Sequence, residues 1–489
     1  MISVDNKDSV IYLFGREGRK AYVKKIENKP YFYALDENGE YETIDGKKAR
    51  KITVSKPSDV PKVRNNYHHM EADVIFVNRA LCDFYHNKEI PNEDIRKLYF
   101  DLEVSMLGGV PDIETGDQPI ISIACYDSFL KKYIVFAIAK EQKITNGKTH
   151  SYFFYKTERE MLSKFLQFVQ DTDPDMFLGY NLDGFDAPYI INRLKWLKMD
   201  ATKLSRCCEM PRTEKEDFGF RNKIFGRVLL DEMKMYKKLA LNKRESYSLE
   251  YVSQYELGEG KEKYEGTLDE LYEKDFDRFI RYNIRDVELI VLLDEKLRMV
   301  DYFDSIRRMA KCKFEDVFMN SRVIDSLILC FCKDKYVLPS KKRNAEETFE
   351  GAFVVQPPKG LFDMVGWLDV KAMYPSIMMT FNMSYETLLN VPEEGCINID
   401  NKYYFTTKRT SILKTLLQQL IDSRDDDRKR MKQISETSDE YKGLDMSQWT
   451  KKLLCNSIFG VVGFSGFRLY NIKIAEAIAY VGRRMNQEM

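Results

Sequence analysis

Leu98-Tyr99-Phe100-Asp101-Leu102-Glu103-Val104 sets two carboxylates into an otherwise apolar, strand-forming run. On a strand, side chains at i and i+2 share a face, so Asp101 and Glu103 converge. Two anions held together are costly unless cations lie between them. Hard oxygen ligands of this kind suit Mg²⁺ or Mn²⁺. An acidic pair at a solvated strand end would use the same residues, so the pair alone does not decide.

Two further segments change the balance. Tyr180-Asn181-Leu182-Asp183-Gly184-Phe185-Asp186 leaves an apolar strand predicted over 177–180 and puts Asp186 on a following turn or helix. Tyr282-Asn283-Ile284-Arg285-Asp286 lies in an amphipathic helix, where i, i+4 spacing sets the Tyr282 phenol and the Asp286 carboxylate on one face. Four carboxylates and a phenol suit metal-assisted phosphodiester hydrolysis, with two ions about 3.5–4 Å apart activating water and stabilising the leaving 3′-oxygen. Tyr282 would orient the water or the scissile phosphate.

In this order the three segments resemble the Exo I, Exo II and Exo III motifs of DEDD-type 3′→5′ proofreading exonucleases of the tyrosine-bearing subtype. The resemblance implies that Asp101, Glu103, Asp186 and Asp286 bind the metals and that Tyr282 is the third-motif tyrosine. It also implies that Asn181 and Phe185 contact or shape a single-stranded 3′ end.

The second half has its own centre, Trp367-Leu368-Asp369-Val370-Lys371-Ala372-Met373-Tyr374-Pro375-Ser376. It reads as an apolar strand ending at a lone carboxylate, then a sharp turn at Tyr374-Pro375, as suits a metal ligand beneath a nucleotide pocket. A helix predicted over 411–432 presents Arg424 and Arg428 at i, i+4, a pair able to clamp a triphosphate; a solvated basic face is the alternative. A second helix, predicted over 447–459 with Gly460 as its stop, puts Lys452 and Asn456 on one face.

The Asp369 stretch resembles motif A of family B DNA polymerases, and Lys452-Leu453-Leu454-Cys455-Asn456-Ser457-Ile458-Phe459-Gly460 resembles motif B. By that resemblance Asp369 binds both catalytic metals and the Val370 carbonyl binds the nucleotide-side one. Backbone N–H groups at Ala372 and Met373 face the triphosphate, and Tyr374 stacks under the sugar and excludes a 2′-hydroxyl. Arg424, Arg428 and Lys452 hold the triphosphate, Lys452 could protonate the leaving pyrophosphate, and Asn456 faces the nucleotide. The chain departs from the family at Ala372-Met373, usually Ser-Leu, at Phe459, usually Tyr, and at Arg428, usually Lys. Arg428 offers a planar fork where Lys offers a point charge. Phe349-Glu350-Gly351-Ala352 resembles the family's Tyr-x-Gly-Gly/Ala element, and residues 244–258 and 261–264 resemble replicative polymerases of T-even-like tailed phages.

The implied fold is multidomain, α+β and α/β. It comprises an N-terminal domain (1–97, joined by about 299–341), a ribonuclease-H-like exonuclease domain (98–298), a first part of the palm (342–410), two-helix fingers (411–464) and more palm (465–489). Motif C, an Asp-Thr-Asp hairpin with the second essential carboxylate, and the thumb are not found. The expectation is therefore an N-terminal portion, a split-gene subunit or a truncation, completed by a second polypeptide with motif C and thumb. Two Mg²⁺ or Mn²⁺ ions per active site, DNA primer–template, single-stranded 3′ ends and dNTPs are implied. So are a sliding clamp reached through that partner, and the cytoplasm of an infected bacterial host. A stand-alone exonuclease with a vestigial polymerase half, or an N-terminal domain binding its own messenger RNA, are the competing readings.

Two stretches imitate the missing carboxylates. Asp171-Thr172-Asp173 spells the motif C tripeptide but lacks flanking hairpin signals, and is expected to be a solvated loop. Asp425-Asp426-Asp427 falls in a helix, where successive side chains fan out by about 100°, so an exposed acidic stripe is expected.

Bulk composition is consistent with these readings. The chain of 489 residues is long enough for three or more domains, and at 44% hydrophobic and 31% charged it is not disordered. Lys+Arg and Asp+Glu both total 77, so any nucleic-acid surface is a local patch rather than a net charge. Nine scattered cysteines without zinc spacing suggest buried free thiols in a reducing cytosol. No signal peptide is evident, and the apolar run over 133–139 is too short to span a membrane.

Overall fold

The computed structural model describes all residues except 218, 241, 343–347, 357, 367 and 489. The chain divides into two compact units, each assembled from separate stretches: residues 1–26 with 91–303, and residues 27–90 with 304–489. The segment 1–97 is thus shared between them.

The first unit is built on a seven-stranded mixed sheet. Its order is Lys143–Asn146, His150–Tyr155, Lys132–Ile138, Ile120–Asp127, Lys97–Val104, Met176–Gly179 and Val228–Asp231. The last three run parallel, with Phe177 opposite both Leu98 and Leu229. The apolar run over 133–139 is one of these strands, not a span. Period-2 alternation sorts the Lys97–Val104 strand onto two faces. Leu98, Phe100 and Leu102 enter a core with Phe165 and Leu166 of the Glu158–Thr172 helix and Ile190 and Leu194 of the Asp186–Trp196 helix. Tyr99, Asp101 and Glu103 take the opposite face, against the Phe276–Leu297 helix. That helix starts at an Asp275 cap and buries Phe279, Ile280, Ile284, Val287 and Ile290 along one stripe. Residues 1–26 add a three-stranded sheet of Ser3–Lys7, Val10–Glu17 and Lys20–Glu27.

Asp171-Thr172-Asp173 is not the expected solvated loop. The first two residues finish the Glu158–Thr172 helix, and Asp173 caps it in a left-handed conformation. The Asp173 carboxylate accepts from Arg206 Nε at 2.7 Å and Arg227 Nη1 at 2.9 Å. Burial works against its charge, but the two guanidiniums outweigh it and hold Asp173 below the usual range.

The second unit contains an antiparallel sheet of Tyr41–Glu42, Lys48–Thr53, Tyr31–Leu35 and His69–Met70. Arg468, buried, ties distant stretches together. It donates to Asp325 at 2.5 and 3.0 Å, to Asp73 at 3.2 Å and to the Pro339 carbonyl at 2.8 Å. Two long helices, Ile412–Met431 and Asp439–Val462, form a hairpin, capped by the Ser411 and Ser438 side chains. The second begins earlier than its apolar pattern indicates and passes through Gly460, which is not its stop. Ile458, Val461 and Val462 are buried, and that packing outweighs the roughly 1 kcal/mol helix penalty of glycine. Asp427 is also not on an exposed stripe: it is buried and accepts from Lys451 Nζ at 2.6 Å.

The strand expected to lead into Asp369 is not found among the described residues. Trp367, Pro357 and Arg343 lie outside the described residues, and the described part of 351–370 is irregular. Leu361, Met364, Val365 and Leu368 are exposed. A strand must pair its backbone N–H and C=O groups, and no ladder partner for this stretch occurs among the described residues. Cys82, Cys125, Cys312, Cys330, Cys332 and Cys455 are buried as expected, whereas Cys207 and Cys208 are exposed. Among the described residues no helix is long and apolar enough to cross a membrane.

Candidate functional site

In the first unit, Asp101, Glu103 and Asp286 bring one carboxylate oxygen each to within 4.8 Å of one another. The strand period supplies the first two, and the Phe276–Leu297 helix, lying across that sheet face, supplies the third. Asn283, one turn before Val287 on that helix, fixes the register: its Nδ2 donates to Asp101 Oδ2 at 3.0 Å, and its Oδ1 accepts from Ser122 at 2.8 Å. Asp186 opens its own helix, and its Oδ1 accepts the Leu102 amide at 3.1 Å, between Asp101 and Glu103 in the chain. Phe185 precedes it, stacked on Tyr189.

The electrostatics follow from burying anions together. Burial and then Asp286 push Asp101 up to about 7. Burial, Asp101 and Asp286 hold Glu103 well above the usual carboxylate range, and burial with Asp101 does the same to Asp186. Asp286 is also raised, chiefly by burial. Its Oδ1 is buried without a hydrogen-bond partner among the described residues. An orphaned buried oxygen amid repelling carboxylates fits a hard divalent cation, since hydrogen bonds within the site leave that ligand position open.

Lys261 completes the cluster, and sequence reasoning did not single it out for this site. Its Nζ donates to Asp286 Oδ2 at 2.6 Å and to the Tyr282 hydroxyl at 3.4 Å. The backbone delivering it is pinned: Glu250 accepts the Lys261 amide at 2.6 Å, and Arg285 Nε donates to the Gly260 carbonyl at 3.1 Å. Burial pushes the Tyr282 phenol upward, reinforced by Asp286, so it stays protonated at neutral pH. Tyr264 packs edge-on against the Tyr282 ring at 5.1 Å.

Behind the site lies a carboxylate with no counterpart in the sequence reading. Glu232 is fully buried, and neither of its oxygens has a hydrogen-bond partner among the described residues. Burial, then Asp294, holds it well above the usual range against the opposing pull of Lys97. A raised folded-state pKa gives stability that is present at acid pH and is lost as pH rises above the unfolded value toward the folded one. In that window the loss reaches about 1.4 kcal/mol per pH unit. Glu232→Gln removes this contribution. Urea unfolding at pH 5 and pH 8 is expected to show a smaller drop for the variant than for the wild type; equal drops would refute the assignment.

In the second unit the residues expected around a nucleotide are dispersed over three elements. Asp369 is exposed and Val370 partly so; Ala372, with φ 49°, caps the Met373–Thr380 helix that carries Tyr374. The Tyr374 ring stacks on Phe459, centroids 4.0 Å apart and planes 20° from parallel. Gly482 lies against the same ring, where a Cβ would sit 3.2 Å from Tyr374 Cε1. On the hairpin, Lys452 and Asn456 are exposed, with the Lys452 ammonium 4.6 Å from the Trp449 ring centroid. Arg424 Nε donates to Gln448 Oε1 at 3.2 Å, and Arg428 is exposed. Lys371 reaches Asp425 at 3.0 Å.

Comparison with known proteins covers both regions. Residues 48–252 match the exonuclease domain of DNA polymerase family B, and residues 316–489 match DNA polymerase family B itself. The DNA-directed DNA polymerase of Escherichia phage RB69 is 31% identical over 340 residues, which is 63% of this chain and 37% of the relative. The DNA polymerase of Pyrococcus glycovorans is 27% identical over 533 residues, 99% of this chain and 66% of the relative. The DNA polymerase delta catalytic subunit of Candida albicans is 28% identical over 427 residues, 80% of this chain and 40% of the relative. The chain therefore spans between 37% and 66% of the length of these relatives. By these matches it belongs to DNA polymerase family B and carries that family's exonuclease domain.

Proposed function

We propose that the first unit is a 3′→5′ exonuclease acting on single-stranded DNA ends with two divalent ions. We propose further that the second unit is the nucleotide-binding part of a template-directed DNA polymerase that also needs a motif C carboxylate and a thumb. The observation that carries the first reading is the carboxylate cluster of Asp101, Glu103 and Asp286, with its orphaned buried oxygen.

Asp101, Glu103, Asp186 and Asp286 would hold the ions, Mg²⁺ or Mn²⁺. Bound there, these ions lower the pKa of a coordinated water and stabilise charge on the leaving oxygen. Tyr282 holds a protonated hydroxyl with the Lys261 ammonium beside it, and both would face the phosphodiester. Asn181 and Phe185 stand at the head of the Asp186 helix, where they would receive the terminal nucleotides. Degradation of a 5′-labelled single strand tests this reading: shortening from the 3′ end that needs Mg²⁺ or Mn²⁺ and stops with EDTA is expected. Metal-independent cleavage, or cleavage from the 5′ end, would contradict it.

The polymerase reading is supported by Arg424, Arg428, Lys452 and Asn456 on the helical hairpin and by Tyr374 stacked on Phe459. Primer extension by these 489 residues alone is expected to be at background. Adding a polypeptide that carries the Asp-Thr-Asp hairpin and thumb is expected to restore it. Processive extension without that addition would sink the reading that motif C and a thumb are needed, and would leave the exonuclease reading untouched.

A further inference from the structure

Asp231 ends the Val228–Asp231 strand and is 1% exposed. Its carboxylate collects three backbone N–H groups. Oδ1 accepts from Asn181 and from Met233, both at 3.0 Å, and Oδ2 accepts from Asp183 at 3.3 Å. The Met233 bond is an ordinary N-cap for the Glu232–Leu239 helix. The other two have a different purpose. They reach across to the turn that leads out of the neighbouring Met176–Gly179 strand toward Asp186.

That turn carries one left-handed residue and is tied from several neighbours. Asn181 sits in the left-handed region at φ 62°, and Gly184 lies close beside it, where a Cβ would be 2.4 Å from Asn181 Oδ1 and would displace that side chain. Asn222 Nδ2 grips the Asp183 carbonyl at 2.9 Å, and Lys234 pairs with the Asp183 carboxylate at 2.7 Å. Asp186 follows the turn directly and locks to the Leu102 amide of the strand that bears Asp101 and Glu103. Any slack at 181–183 is therefore delivered to the Asp186 carboxylate.

We propose that Asp231 is a positioning residue for the metal site: its carboxylate clamps the 181–183 turn and so sets Asp186 against Asp101 and Glu103. The proposal rests on the reading of the first unit as a metal-dependent nuclease. Its rival is a purely structural role, as the cap of one helix. The two differ in what a serine at this position does. Serine caps a helix about as well as aspartate, but its single short hydroxyl cannot also span to Asn181 and Asp183.

The test compares wild type, Asp231→Ser and the isosteric Asp231→Asn. It uses three readouts: melting temperature, Mn²⁺ binding to the DNA-free protein by electron paramagnetic resonance, and the Mn²⁺ concentration for half-maximal degradation of a single strand. Melting of Asp231→Ser is expected to stay near wild type. Its Mn²⁺ affinity is expected to weaken, and its half-activating Mn²⁺ to rise, by roughly 10- to 100-fold, the cost usual for groups that orient metal ligands. Asp231→Asn, which keeps one acceptor oxygen, is expected to fall between. Unchanged Mn²⁺ affinity and half-activation in both variants would overturn the proposal, and so would losses that track a lowered melting temperature. A wild type that neither binds Mn²⁺ nor degrades the strand would remove the nuclease reading itself, a result visible before any variant is made.

Discussion

Replacing Asp101 and Glu103 together with alanine is expected to abolish metal-dependent degradation of single-stranded DNA. The fall should be on the order of 10³-fold or more, because several kcal/mol of metal-derived stabilisation disappear at about 1.4 kcal/mol per tenfold. Both side chains leave the sheet face opposed to the Phe276–Leu297 helix, so the substitution empties one side of the site and leaves Asp286 and Lys261 paired. A second readout separates lost chemistry from lost folding. Burial, with repulsion from Asp286 on Asp101 and from Asp101 and Asp286 on Glu103, raises both carboxylates, Asp101 to about 7, so above that pH the metal-free protein carries buried, repelling charge. The double variant sheds it and is expected to melt higher than wild type at pH 8 in EDTA. Added Mg²⁺ is expected to raise the wild-type melting temperature and leave the variant's unchanged. Degradation that survives the double substitution would show that the site lies elsewhere.

Arg468→Met is expected to destabilise the second unit by about 3–5 kcal/mol, the cost of breaking a buried ion pair from one side. The guanidinium is fully buried. Its departure would leave Asp325 paired with Lys341, at 3.0 Å, and would cost Asp73 its bond at 3.2 Å. Burial alone would raise Asp325, yet Arg468 and Lys341 hold it below the usual range. Methionine fills the volume without the charge, so the loss reads out electrostatics rather than a cavity. Denaturant unfolding followed by a probe in residues 304–489 gives the change directly. A loss below about 1 kcal/mol would place this network among weak surface pairs. The stabilising contribution of Asp325 is present above the ordinary carboxylate range and is lost as pH falls through its depressed pKa.

The carboxylate cluster was legible wherever a period placed its members. Asp101 and Glu103 follow the strand repeat of two, and Tyr282 and Asp286 follow the helix repeat, so spacing alone put each pair on one face. Lys261 obeys no period. It lies in an irregular segment whose course is set by Glu250 and Arg285, contacts that exist only after the helices have packed. The same limit applies to the imitating acidic stretches. Asp173 and Asp427 look solvated in the sequence, because the arginines and the lysine that neutralise them stand far along the chain. The stretch before Asp369 fails in the opposite sense: its residues favour a strand, but propensity without a neighbour to pair with builds none.

The interleaving of the two units has a consequence for synthesis. Residues 27–90 leave the ribosome early, but the partners that complete their unit begin only at residue 304. At about 5–20 residues per second, that segment waits some tens of seconds as a nascent orphan while the first unit finishes. Tyr31 and Tyr33, which pack with Val337, lack that part of their cover throughout the interval, whereas Phe32 packs within the segment against Val54 and Ala72. Slowing elongation between residues 90 and 304 lengthens the time for which Tyr31 and Tyr33 lack Val337.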